Sequence, residues 1–149
     1  MNEATFLIRL SFGMALTAFA FWDHKSKRLP MTPIFCLLAA GILFICAEET
    51  NNLKNTLLGV EIGALVCGIA KLTEGSIGMG DGLLALLTGL YMGGIFTFLC
   101  LCFAFLFSAV AALYLIGVKK KGKKESLPFV PFMLAGYIMT NWLQGGWVL

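Results

Sequence analysis

From Gly82 to Val118 the chain is almost continuously apolar for 37 residues. Drawn as one straight helix, that run would be about 55 Å long, whereas the hydrocarbon core of a bilayer is about 30 Å thick. The run therefore has to fold back. Gly93-Gly94 supplies the break, because glycine reaches backbone conformations that end a helix. Four further apolar runs repeat the pattern. The first covers about residues 4–22, interrupted only by Arg9. The second starts at Pro33, with Thr32 as its cap, and continues to about Ala47. The third covers 55–72 and contains Glu61, and the last runs from about Pro128 to Leu149. Charged residues make up only 13% of the chain and apolar residues 59%, against about 25% charged in a soluble domain. The reading is an all-α polytopic membrane protein with about six transmembrane helices. Six spans of roughly 20 residues each leave room for a single domain over residues 1–149 and no separate soluble one. Nothing here reads as a nucleic-acid partner; the bilayer itself is the expected environment.

Charge sets the orientation. Numbered from the N-terminus, alternate loops collect Lys25, Lys27, Arg28, Lys71, Lys119, Lys120, Lys121, Lys123 and Lys124 on one side, nine of the eleven basic side chains. The opposite side receives only Lys54, and Arg9 lies within a span. The positive-inside rule makes the first side cytoplasmic, with both the N-terminus and the C-terminus outside. The protein is then expected in the plasma (cytoplasmic) membrane. The N-terminal run could mimic a signal peptide ending at Ala18-Phe19-Ala20, but it lacks a basic leader and is long, so it reads as a retained span. The five cysteines all sit in apolar stretches without a C-x-x-C pair and read as packing residues, not as metal ligands or disulfides. No metal and no cofactor is expected.

The chain has only two aspartates, Asp23 and Asp81. Asp23 follows the cytoplasmic end of the first span, and Asp81 opens the fourth span on the same side. They are 58 residues apart in sequence, yet the topology alone puts them at one membrane face. Only about 13 residues separate Asp81 from the glycine break, roughly 20 Å of helix, so Asp81 is expected below the membrane surface, facing water and protein. Gly75, Gly78, Gly80 and Gly82 would permit the non-helical path that such a start requires. Two carboxyl groups held close together cannot both ionise cheaply, so they share a proton. The ionised member can then deprotonate a water while the protonated one donates to a scissile carbonyl. The dipole of the helix that Asp81 opens favours its ionised form. Taken singly, each aspartate also fits an ordinary solvated or capping residue; the pairing is what points to chemistry.

These segments resemble the type IV prepilin peptidases, members of the Gly-x-Gly-Asp class of intramembrane aspartic proteases. "DHKSKRLP", Asp23 to Pro30, is similar to the first catalytic segment of that family. "GSIGMGDGLLALLTGLYMG", Gly75 to Gly93, is similar to the second, with Asp81 as the carboxylate. "LPFVPFMLAGYI", Leu127 to Ile138, is similar to the stretch that opens the last helix of the family. The resemblance implies an aspartic endopeptidase that cleaves a short basic leader from membrane-inserted prepilin-like proteins at the cytoplasmic face, with Asp23 and Asp81 as the catalytic pair. It also suggests Gly78, Gly80, Pro30, Pro128 and Pro131 as supporting or substrate-groove positions. Met31 stands where the family often has Asn, and Leu83 where it often has Lys. The cysteine motifs tied to methylation in larger relatives do not occur in this sequence, so the resemblance carries no expectation about that second activity.

Other residues have plainer readings. The cluster Lys119 to Lys124 reads as a topology determinant and lipid-headgroup contact, and His24 as a solvated loop residue. Arg9 and Glu61 lie at similar depth, so a structural ion pair between them is one expectation; snorkelling of Arg9 to the headgroups is the other. Two functions from other classes fit the same aspartates: a small transporter or channel using them to bind cations or protons, and a non-catalytic assembly partner.

Overall fold

A computed structural model of the chain describes residues 3–26, 30–47, 53–72, 78–117 and 128–145. Within these segments the backbone is helix with short turns: α1 (Glu3–Ser26), α2 (Met31–Ala47), α3 (Leu53–Leu72), α4 (Met79–Met92), α5 (Gly94–Gly117) and α6 (Val130–Leu143). Each apolar run read from the sequence has become one helix, or two where the glycine pair divides it. α2 begins at Met31 rather than at a Thr32 cap, a one-residue difference of the kind that fraying helix ends produce. Leu53–Leu72 and Gly94–Leu115 are long and apolar enough to cross a bilayer, while Met31–Leu43 and Met79–Met92 are shorter apolar stretches. Gly75, Lys27, Arg28 and the cluster Lys119 to Lys124 lie outside the described residues.

The break between α4 and α5 falls at Gly93, whose φ of 82° belongs to the region that side chains disfavour. What fixes the next helix comes from elsewhere in the chain. Asn55, on the first turn of α3, accepts hydrogen bonds from the backbone N–H of Gly94 at 3.1 Å and of Ile95 at 3.4 Å. These are two of the first-turn donors that an α-helix leaves without partners of its own, so a side chain from α3 caps α5. The Asn55→Ala variant is expected to lose about 1–2 kcal/mol of stability, read as a lower unfolding midpoint in a detergent titration.

α3 and α4 run antiparallel at close range because the facing positions are small. Gly59 meets the backbone of Gly89, Gly63 meets Leu86, and Cys67 meets Gly82; a Cβ on any of these four glycines would run into the opposite helix. Without a hydrophobic driving force between helices in lipid, such small-residue stripes are the usual means of close helix approach. α6 uses the same device against α5, where Gly136 rests on the Cys100 carbonyl. α1 packs on α6 through Gly13 and Tyr137, whose hydroxyl donates to the Arg9 carbonyl at 2.7 Å. α2 is tied to α4 by the Tyr91 hydroxyl, which donates to the Leu37 carbonyl at 2.9 Å.

The interior contains both polar and apolar groups. Phe12, Leu16, Ile34, Leu84, Leu87, Met133 and Tyr137 form its centre, but Asp23, Thr88, Thr97, Thr140 and Asn141 are buried as well. The three threonines satisfy their hydroxyls locally, each donating to the carbonyl four residues back. Meanwhile Phe21, Leu43, Leu65, Ile95 and Leu113 are more than 60% exposed. That distribution, with polar groups admitted among the interior side chains and further large apolar ones turned outward, is what a lipid solvent favours.

Candidate active site

Asp23 lies in the last turn of α1, beyond the apolar run that ends at Trp22, and is buried with 7% of its surface exposed. A carboxylate buried to that degree requires a partner. It has one: the backbone N–H of Val130 donates to Asp23 Oδ2 at 3.3 Å. Val130 is the first residue of α6, so Asp23 faces the positive end of that helix. The dipole argument made for Asp81 thus applies to Asp23 too, through a different helix, and no longer singles out Asp81.

Asp81 is the third residue of α4, counted from the extended N-cap residue Gly78. Its half-buried carboxylate curls back over its own helix start, where the Gly78 backbone hydrogen-bonds it. This is one half of a capping box, with the carboxylate at the third helical position serving the N-cap amide. The geometry explains why position 78 is glycine: a Cβ there would stand 2.9 Å from Asp81 Oδ2. Gly80 is buried, and Gly82 packs on Cys67 of α3. The glycines around Asp81 therefore serve two different ends, clearance for a carboxylate and contact with a neighbouring helix. The Gly78→Ala variant is expected to push the carboxylate aside and slow any reaction that depends on it by about 10²-fold, with the unfolding midpoint little changed.

The two aspartates interact electrostatically across helices. Asp23 is the charged group whose field acts on Asp81, although the residues sit on different helices at the two ends of a long sequence separation. A pair of carboxyl groups so placed, partly withdrawn from water, binds one proton between them more readily than either would alone. Among the described residues no group of three or more His, Cys, Asp or Glu side chains could hold a metal ion.

The remaining expected positions divide. Pro30 is half-buried just before α2, close in sequence to Asp23. Pro131 occupies the second position of α6, and Pro128 precedes that helix; between them stands Val130, whose amide reaches Asp23. His24 is exposed. Arg9 and Glu61 are not brought together. The Arg9 guanidinium lies over the Phe96 ring, 5.6 Å from its centroid, a cation–π contact with α5. Glu61 is exposed on α3. Gly59 and Gly63 face α4, and a residue two positions from Gly59 points about 200° away around the helix.

Sequence reasoning missed Asn55, the small-residue stripe and the Val130 amide. Gly59 and Gly63 carried a signal, since four-residue spacing of glycines in an apolar run marks a helix contact. The amide carried none of its own, being backbone.

A family model of the type IV leader peptidase family matches residues 10–116. No curated protein and no solved structure gives a significant match.

Proposed function

The chain belongs to the type IV leader peptidase family, and from that premise we propose that it is an intramembrane aspartic endopeptidase with Asp23 and Asp81 as its catalytic pair. The family makes it a peptidase. One feature above the others supports the finer reading: the chain has only two aspartates, distant in sequence, and the charge of Asp23 acts on Asp81.

The chemistry follows from a shared proton. The ionised carboxylate takes a proton from water as the water oxygen adds to the scissile carbonyl carbon. The protonated carboxyl donates to the carbonyl oxygen, giving a neutral diol. Collapse of the diol breaks the C–N bond: the leaving nitrogen takes up the proton that water gave, and one diol hydroxyl returns its proton to the carboxylate that had protonated the carbonyl, which restores the pair. The new carboxyl stays on the leader and the new amino group on the substrate helix. No metal or cofactor is needed for any step. The substrate is a membrane-inserted prepilin-like protein with a short basic leader, cut at the cytoplasmic face.

All six helices serve as spans in this reading, in one transmembrane unit over residues 1–149, with both termini outside and the site open to the cytoplasm. Outward-facing large apolar side chains on most helices and the one-sided placement of Lys and Arg support it. The test is reconstitution in liposomes with a prepilin-like substrate, followed by mass spectrometry of the products. Release of an intact leader with a single new N-terminus, and no proton or cation flux in the same liposomes, is the expected result. Flux without cleavage would overturn the reading in favour of a transporter.

A further inference from the structure

We propose that the backbone amide of Val130, at the start of α6, is a third component of the site: it orients Asp23 and offsets part of the cost that burial imposes on its ionised form, the form that activates water. The inference rests on the catalytic assignment of Asp23 and deepens it. Its starting point is the hydrogen bond from Val130 N–H to Asp23 Oδ2 at 3.3 Å, which links residues 107 apart in sequence.

The first turn of α6 is arranged so that this amide is the donor left over. A helix N-terminus has several backbone N–H groups without intrahelical acceptors. Here Pro131, at the second position, has no N–H at all. The N–H groups of Phe132 and Met133 both turn back to the Phe129 carbonyl, at 3.0 and 3.1 Å. Val130 N–H alone points outward, and Asp23 accepts it. Val130 itself is fully buried, and Phe129 is fixed against Phe105 of α5 with ring centroids 5.2 Å apart. The donor is therefore held by packing and does not depend on a mobile side chain.

Around Asp23 the titratable groups among the described residues are Asp81, from α4, and the adjoining His24 on α1; α6 presents an amide and no charge. A hydrogen bond donated to a carboxylate favours its charged form. With Asp81 hydrogen-bonded by Gly78 in its own helix, each acid of the pair has one backbone donor, and each donor belongs to a helix start. The difference is that the donor to Asp23 comes from a separate helix, so docking of α6 works against the burial that favours the protonated form of Asp23.

The experiment replaces the residue 130 amide by an ester, Val130→α-hydroxyvaline, introduced by suppressor tRNA in cell-free synthesis. The Val130→Ala variant, which keeps the N–H, is the control for the side chain. Loss of the donor raises the affinity of Asp23 for a proton, so the acid limb of the kcat/KM profile should move to higher pH by about one unit. One unit corresponds to about tenfold lower activity on that limb, with the Val130→Ala limb unmoved. Carbodiimide labelling of Asp23, followed by peptide mass spectrometry against pH, reads the same titration without turnover should the ester variant cleave too slowly. An acid limb or labelling midpoint that stays put or falls overturns the role of the amide, provided Asp23→Asn is inactive. Full activity of Asp23→Asn would instead overturn the underlying catalytic assignment.

Discussion

Asp81→Asn is expected to reduce the rate of leader cleavage by about 10³-fold or more, while the protein remains folded. Asparagine keeps the shape of the side chain and can still approach the Gly78 backbone, so the start of α4 should hold. What it lacks is a proton that can be shared. With one carboxyl group in place of two, the pair can no longer both withdraw a proton from water and supply one to the carbonyl. Asp23→Asn removes the other half of the same function and should be as severe. The double variant should therefore lose no more than either single one, because groups that act as a unit are strongly non-additive. Single-turnover cleavage of a prepilin-like substrate, with unfolding midpoints measured in parallel, checks this. Losses that multiply in the double variant would show that the acids act in separate steps, and unimpaired cleavage by either variant would remove that residue from the chemistry.

The second large effect is on stability. Gly59→Leu places four heavy atoms where the structure leaves no room for one, since even a Cβ would collide with the Gly89 carbonyl. The obstacle is backbone, so it cannot rotate away as a side chain would. Overpacking of a core site costs about 1–3 kcal/mol when neighbours can adjust; here α3 and α4 must separate, and more than about 3 kcal/mol is expected. The change also tilts α4, which carries Asp81, and loosens Asn55 from the start of α5. Loss of activity should accompany the drop in unfolding midpoint. Gly68→Leu is the control, because that glycine has open space around it. A variant at position 59 as stable as one at 68 would mean that the stripe does not hold the two helices together.

Much of the architecture was legible because apolar helices obey length limits that a sequence states openly. The 37-residue run had to turn, and Gly93 is where it turns. The candidate acids stood out because the chain has only two aspartates, and the structure puts Asp81 within reach of the charge on Asp23. Arg9 shows where such reasoning stops. Its depth matched that of Glu61, but depth along a helix says nothing about direction around it, and the guanidinium went to Phe96.

The sequence by itself determined the helices seen among the described residues and where the long apolar run breaks. Tertiary structure decided which helix faces which: that Asn55 caps α5, that Gly59 lies on Gly89 and that the Val130 amide reaches Asp23. The physical reason lies in the solvent. In a water-soluble bundle an apolar stripe identifies the inward face of each helix. In a chain apolar on every side that stripe vanishes, and inward faces are chosen by close packing and hydrogen bonds that exist only once the helices have met.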